Sequence, residues 1–184
     1  MKKKIALLGD SIRLIGYGKK VAQMLGENYE VFQTDDNCRW AQYTLRMLFD
    51  YKDNLKDCDV IHWNNGLWDC TELFGDGTFT SEENYIETMT RIAKHLLKIT
   101  PNVIFATTTP TKPTYLYTHN DKIDRFNEII VPRLKEMGIV INDLNSLLRG
   151  KEDEMICNDE LHLSEKGAEI CAKAVCNAIK SFEK

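Results

Sequence analysis

Short apolar runs alternate with longer segments of helical period along this chain of 184 residues. The runs are brief and are bounded by Gly, Asp, Asn or Pro, which is typical of strands buried on both faces of a parallel sheet. The predicted strands are Ile5–Leu8, Tyr29–Gln33, Val60–Trp63, Val103–Thr107 and Ile139–Ile141.

Helices are predicted in the segments between these strands. From about Glu83 to Ile99, apolar residues recur on one stripe behind a start rich in hydroxyl and acidic side chains. A second helix is predicted over Asp121–Met137 and ends at Gly138, a natural C-cap. We expect Pro132 to kink or interrupt it, because proline lacks a backbone N–H. The last helix is predicted to begin near Ser164.

Strands that alternate with helices indicate a series of βαβ units. The sequence therefore predicts one α/β domain over residues 1–184, with a five-stranded parallel sheet and helices on both of its faces. In such a sheet, the binding crevice lies outside the carboxyl ends of the strands. Residues that directly follow the strands are therefore the candidates for function.

Composition and charge exclude several classes of partner. The hydrophobic fraction of 43% and the net charge of −4 are ordinary for a globular protein and argue against nucleic acid binding, which needs a basic face. No apolar stretch is long enough for a membrane span or a secretion signal, so no membrane partner is expected. The six cysteines have no CxxC spacing and are read as reduced thiols of a cytoplasmic protein.

No pattern in the sequence predicts a cofactor or a metal. The stretch Gly16–Lys19 completes neither of the two glycine-rich phosphate-binding motifs, and the histidines form neither HxxxH nor HExxH. Of these histidines, His62 is expected to be packed or to line a pocket, and His95 to be exposed. His119 lies in the long loop 111–120, a candidate lid or pocket rim.

Ser11 is the first candidate for catalysis. The first predicted strand leads into Gly9-Asp10-Ser11, so the serine falls at a strand-to-helix turn beside the crevice. Its hydroxyl becomes a nucleophile when a base takes its proton, and its own N–H can stabilise an oxyanion. On position alone, a helix N-cap is the slightly more ordinary role for this serine.

Asp159 and His162 make a catalytic role for Ser11 more favoured than that of a helix N-cap. They lie three residues apart in a short segment before the last helix. A carboxylate so placed can hold one imidazole nitrogen and support the imidazolium that forms when the other nitrogen accepts a proton. Together with Ser11, the pair predicts a catalytic triad.

Gly9-Asp10-Ser11 and Asp159-x-x-His162 resemble blocks I and V of the SGNH (GDSL-like) hydrolase superfamily. Val103–Pro110, Phe126–Ile130 and Gly138–Leu144 are also similar to segments of that family, so the resemblance covers nearly the whole chain. It implies a flavodoxin-like three-layer α/β/α sandwich. It also implies ester hydrolysis through an acyl-serine intermediate without a cofactor.

Two other blocks depart from the family pattern and concern the oxyanion donors. Where block II has a glycine, this chain has the loop Asp36–Trp40, from which the backbone N–H of Cys38 is the expected donor. In block III, Trp68 stands where an asparagine is usual. Its indole N–H could serve as a donor, or its ring could form a pocket wall. Asn64 or Asn65 is the other candidate source of an amide.

The substrate is expected to be a small acylated molecule. The loop around Asn37 and the stretch Asn64–Asp69 resemble an SGNH subgroup often associated with carbohydrate esters, so a short acyl group, in particular acetyl, on a carbohydrate or other small alcohol is predicted. A lysophospholipase or thioesterase is the alternative within the same fold. The irregular blocks II and III also leave open a catalytically silent glycan-binding domain.

Overall fold

One parallel sheet forms the centre of the molecule. The computed structural model describes residues 2–183. Its strands are β1 (Lys3–Leu8), β2 (Tyr29–Gln33), β3 (Val60–Asn64), β4 (Val103–Ala106) and β5 (Val140–Asn142). Their order across the sheet is β2-β1-β3-β4-β5, and every neighbouring pair is parallel. This is the flavodoxin-like order, so the predicted fold class is confirmed.

Helices fill the connections between the strands. A π-helical turn over Ile12–Tyr17 follows β1 and leads directly into the first α-helix. The α-helices are α1 (Gly18–Leu25), α2 (Ala41–Asp50), α3 (Lys52–Leu55), α4 (Glu82–Leu97), α5 (Asn120–Glu136), α6 (Leu144–Leu148), α7 (Glu152–Met155) and α8 (Glu165–Lys180). Packing of α1 against α8, and of α2 and α5 against α4, gives the two outer layers of the sandwich.

The strand and helix boundaries agree with the predicted ones to within one or two residues. Of the two effects expected of Pro132, a kink or an interruption, the interruption is not observed. Pro132 does not interrupt α5, which runs from Asn120 to Glu136 with the proline inside it. The missing proline N–H would have donated to the carbonyl of Glu128, one turn earlier. Both Glu128 and Pro132 are exposed, so water can take the place of that donor.

The carboxyl ends of β1, β3 and β4 bring polar residues together at one edge of the sheet. The strand β3 is buried along its whole length, and its last residue, Asn64, lies beside the first turn after β1. Apolar side chains fill most of both faces of the sheet. His62, in the middle of β3, is a buried polar exception. Within residues 2–183, no helix combines the length and the apolar character that a membrane span requires.

The start of α8 packs against the backbone of α7 and makes one glycine testable. A Cβ atom on Gly167 would lie 2.2 Å from the carbonyl oxygen of Met155. Alanine normally stabilises a helix interior relative to glycine by ~1 kcal/mol, but here the clash dominates. We expect Gly167→Ala to lower the free energy of unfolding by about 1–3 kcal/mol in urea denaturation.

The control for this prediction is Asn177→Ala, at an exposed interior position of the same helix. It should leave stability unchanged or raise it slightly, since alanine is the better helix former. A stabilised Gly167→Ala protein would show that α7 does not pack against α8 in this way.

Candidate active site

The first turn after β1 places Ser11 at the end of the sheet, as predicted. A Cβ atom on Gly9 would lie 1.9 Å from Oδ1 of Asn64, so only glycine allows this side chain to reach the turn. The Asn64 amide donates to Oδ1 of Asp10 at 2.9 Å, and the Tyr17 hydroxyl donates to Oδ1 of Asn64 at 2.8 Å. Ser11 is therefore held between two fixed neighbours, β1 and the π-helical turn.

The Arg13 side chain ties this turn to the loop after β2. Its guanidinium is fully buried and donates to the carbonyl oxygens of Thr34 at 2.7 Å, Gly9 at 3.1 Å and Asp36 at 2.9 Å. Three carbonyl acceptors hold the buried charge, whereas the usual partner of such a charge is a carboxylate. No structural role is predicted for Arg13 from the sequence, because no local pattern reveals that two of its acceptors, Thr34 and Asp36, lie more than twenty residues away.

Asp159 and His162 form the pair that the sequence predicts. Oδ2 of Asp159 and Nδ1 of His162 are 2.7 Å apart, and Oδ1 of the same carboxylate accepts the backbone N–H groups of Leu161 and His162. The turn is closed by the Cys157 N–H, which donates to the His162 carbonyl at 2.7 Å. Partial burial raises the pKa of Asp159, but these hydrogen bonds outweigh it and hold the pKa below its usual value.

Ser11 and His162 line the same cavity, which has a volume of about 400 Å³. The two ends of the chain therefore meet at one site. The residues that line it are Ser11, Asn37, Leu67, Trp68, Thr71, Leu73, Phe79, Tyr115, Thr118, Leu161 and His162. Asn37 and Trp68, two of the predicted oxyanion or substrate residues, are among them. Cys38 and Asn65, the other two, are not.

The structure gives Cys38 and Asn65 hydrogen-bond partners inside the protein. The Cys38 N–H donates to the Gly9 carbonyl at 3.1 Å, and its side chain is fully buried. The Asn65 amide donates to the Arg39 carbonyl and accepts from the Trp63 indole N–H. Both residues hold the loops behind the cavity in place, which argues against the Cys38 N–H as a donor to an oxyanion.

Asn37 and Trp68 reach the cavity in different ways. Oδ1 of Asn37 accepts the backbone N–H of Arg39 at 2.8 Å, which fixes the orientation of the amide and leaves its NH₂ group as a donor. Arg39 has a positive φ of 49°, so this tight turn is strained for an arginine. Trp68 is 39% exposed, and its ring lies 6.5 Å from that of Trp40. It forms an aromatic wall at the cavity mouth.

Solved structures share this architecture. A lipase/acylhydrolase from Enterococcus faecalis has a TM-score of 0.76 at 18% identity, with 97% of this chain and 96% of that one covered. An acetylxylan esterase from Geobacillus stearothermophilus has a TM-score of 0.77 at 14% identity, with 96% and 94% covered. A structure from Slackia heliotrinireducens described as an SGNH hydrolase has a TM-score of 0.76 at 16% identity, with 97% and 100% covered. The chain has the SGNH hydrolase fold.

Sequence comparisons give no match. No family model matches the chain, and no curated protein resembles it closely enough in sequence to count as a relative. The SGNH fold predicted by the resemblance is therefore confirmed through the structure.

Two buried carboxylates near this cavity were not anticipated from the sequence. Burial raises the pKa of Asp10 to about 6, against the lowering effect of hydrogen bonds from Asn64 and Ile12. Burial also raises the pKa of Asp69 to about 7, although its two oxygens accept the Ala41 N–H at the start of α2. Asp69 thus caps a helix from 28 residues away, a contact that only the tertiary fold creates.

The other three histidines lie outside the Asp159–His162 pair. His62 is fully buried, its Nε2 is 3.3 Å from the Asn142 amide, and burial lowers its pKa to about 3. It is therefore a neutral core residue. His95 and His119 are exposed.

The loop 111–120 forms a wall of the cavity and is tied on both sides. The carbonyl of Glu160, in the turn that carries Asp159 and His162, accepts the Lys112 N–H at 2.9 Å, and its carboxylate accepts the Thr114 hydroxyl at 2.6 Å. Glu160 has a positive φ of 67°. On the other side, the Tyr117 carbonyl accepts the Glu72 N–H at 2.7 Å. This candidate lid is thus anchored both to the turn that carries Asp159 and His162 and to the opposite rim.

The raised pKa of Asp69 predicts a pH dependence of stability. The pKa of the carboxyl in the folded protein is about 7, whereas in the unfolded chain it returns to its ordinary value of 3.8. Between these values the folded state holds a proton that the unfolded state has lost, so the free energy of unfolding falls as the pH rises. We expect Asp69→Asn to flatten this fall in urea denaturation series between about pH 4 and 7.

The control is Asp50→Asn. Asp50 is an exposed carboxylate, and its ion pair with Arg46 holds the pKa of Asp50 below its usual value. It should leave the fall between pH 4 and 7 unchanged. Identical slopes in the wild-type and Asp69→Asn proteins would contradict a protonated, buried Asp69.

Proposed function

We propose that this protein is a serine ester hydrolase with Ser11 as nucleophile, His162 as general base and Asp159 as the residue that orients the base. One observation carries the proposal: the imidazole bonded to Asp159 lines the same cavity as the Ser11 hydroxyl. The hydrogen bond to Nδ1 leaves Nε2 as the nitrogen that accepts a proton. The SGNH fold supports the same reaction class.

In the first half of the reaction, the Ser11 hydroxyl closes to hydrogen-bond distance of His162 when the ester binds. Its oxygen attacks the ester carbonyl while Nε2 takes its proton. The tetrahedral intermediate then collapses, the bond to the alcohol breaks, and the imidazolium returns the proton to the leaving alcohol. In the second half, a water molecule attacks the acyl-serine by the same route and releases the acid.

The negative charge on the intermediate needs donors that are not already engaged. The Ser11 N–H stands at the first turn of a helical segment, where N–H groups lack an intrahelical acceptor. The Asn37 amide supplies a second donor, since its carbonyl is engaged with Arg39 while its NH₂ is not needed there. Each such donor contributes on the order of 10²–10³ in rate.

For the alcohol part of the ester we propose a carbohydrate or other small alcohol, and the sequence predicts a short acyl group, in particular acetyl. The structural neighbours named as acetylxylan esterases support it. The exposed ring of Trp68 at the cavity mouth is also a surface on which a sugar ring can stack. The six free cysteines support a reducing compartment such as the cytoplasm.

A longer acyl ester, of the lysophospholipid or thioester kind, is the second candidate. The apolar lining of the cavity favours it. A glycan-binding domain without catalysis is the remaining alternative, and it has no use for an imidazole held by a carboxylate beside a serine. Turnover of p-nitrophenyl acetate separates an enzyme from such a binding domain.

Substitutions in the triad test the mechanism. Ser11→Ala should abolish hydrolysis of p-nitrophenyl acetate without changing the circular dichroism spectrum. Asp159→Asn should lower kcat by about 10³–10⁴-fold, because the amide no longer fixes the imidazole tautomer. Asp153→Asn, at an exposed carboxylate of α7, is the control and should retain wild-type kcat. Full activity in Ser11→Ala would remove the serine from the mechanism.

A pair of variants separates the two cavity-facing candidates for the oxyanion donor. Asn37→Ala should lower kcat by on the order of 10²-fold with little change in KM, as expected for a group that acts on the transition state. Trp68→Phe keeps the aromatic wall and removes only the indole N–H, so kcat should remain within about threefold. The reverse result would assign the donor to the indole.

A further inference from the structure

The two threonines that line the cavity beside Ser11 make it less polar than their side chains suggest. Thr71 donates its hydroxyl proton to the Leu67 carbonyl at 2.8 Å, and its oxygen lies 2.7 Å from the Thr118 hydroxyl. Since the Thr71 proton is already used, Thr118 is the donor in that pair. Both hydroxyl protons are thus engaged within the protein, so neither threonine has a hydroxyl proton left to donate to a ligand.

Most of the polar groups that remain for a ligand belong to the proposed reaction. They are the Ser11 hydroxyl, the His162 imidazole and the Asn37 amide. The rest of the lining is aliphatic or aromatic, apart from the indole N–H of Trp68 and the hydroxyl of Tyr115, and consists of Leu67, Trp68, Leu73, Phe79, Tyr115 and Leu161. Among the described residues of this cavity, none is an aspartate, glutamate, lysine or arginine. A charged group placed here would lose its hydration without gaining a partner.

The volume of the cavity exceeds what an acetyl group requires. Three non-hydrogen atoms, at roughly the 30 Å³ that one water molecule takes in the liquid, occupy about 100 Å³. The cavity has about 400 Å³. An acetyl group alone would leave most of the apolar lining in contact with water.

Backbone hydrogen bonds fix the segments that form the walls of this cavity. The Phe79 N–H donates to the Thr71 carbonyl at 2.8 Å, and the Glu72 N–H donates to the Tyr117 carbonyl at 2.7 Å. These bonds join the rim that carries Leu73 and Phe79 to the wall that carries Tyr115. The apolar volume is therefore a property of the folded chain and not of one side chain's position.

We infer that this cavity binds an uncharged alkyl or aryl acyl group larger than acetyl, an inference that rests on the proposed ester hydrolysis at Ser11. Burial of each additional methylene in the apolar cavity strengthens binding of the acyl group in the transition state. The ester carbonyl lies at Ser11 and the chain extends along the leucine and aromatic side chains.

A series of p-nitrophenyl esters from acetate through butyrate and hexanoate to octanoate tests this inference. We expect kcat/KM to rise by up to about fourfold for each added methylene, and by at least about tenfold from acetate to hexanoate. The p-nitrophenyl hemisuccinate, similar in length to the butyrate but with a terminal carboxylate, should be at least about tenfold poorer than the butyrate. All esters are used below their critical micelle concentrations.

Two neighbouring rim residues provide matched variants. Leu73 lines the cavity and is 47% exposed, whereas Phe74 is 81% exposed and does not line it. Leu73→Gln places an amide in the apolar lining and should reduce the rise with chain length by at least about threefold at hexanoate. Phe74→Gln should retain the wild-type profile. Because both positions are exposed, neither substitution threatens folding.

The outcomes distinguish the inference from the proposed function. Hydrolysis that is fastest with acetate and declines with chain length would overturn the inference and leave ester hydrolysis at Ser11 standing. The same holds if an acetylated xyloside is hydrolysed with a higher kcat/KM than the hexanoate. No turnover of any ester above that of the Ser11→Ala protein would overturn the proposed function itself.

Discussion

The close approach of the Asn64 side chain to the backbone of Gly9 is the contact on which the site depends. It joins the carboxyl ends of β3, the central strand, and β1, its neighbour, at the point where the chain leaves the sheet. Through this amide, the Tyr17 hydroxyl and the Asp10 carboxylate belong to one hydrogen-bonded group. The turn that carries Ser11 is thus fixed by the core of the sheet, and Arg13 and Cys38 tie it in addition to the loop after β2.

The polar groups behind the cavity hold loops in place, whereas the side chains that line the cavity contact the ligand. These two roles belong to different residues within a small region. The side chains of Arg13, Asn65 and Asp69 form hydrogen bonds with segments that are distant in sequence, and these bonds hold the segments at the end of the sheet. The surface that these loops present is then free to be apolar. A buried network that is nearly complete costs little, whereas the same groups turned toward a ligand would bind water or charge.

The sequence predicts those parts of this arrangement that are formed by residues close together in the chain. Buried strands and amphipathic helices leave periodic patterns, so the five strands and the three long helices were placed to within one or two residues. The spacing of Asp159 and His162 is also local, and their hydrogen bond follows from a short turn. The role of Asp69 was missed because it caps a helix 28 residues earlier in the chain. The backbone N–H of Cys38 was expected to donate to an oxyanion. In the structure it donates to the Gly9 carbonyl, and no pattern in the sequence reveals this hydrogen bond.

One bridge between loops has a wider consequence. Glu160, in the left-handed conformation between Asp159 and His162, holds the wall loop through both its carbonyl and its side chain. The loop that lines the cavity and the turn that carries His162 are therefore joined by hydrogen bonds. A change in loop 111–120 that reshapes the cavity is transmitted to the turn that carries the imidazole. The opposite rim, which carries Leu73 and Phe79, reaches this turn through the loop, because Glu72 donates to the Tyr117 carbonyl, so substitutions there act on the imidazole less directly.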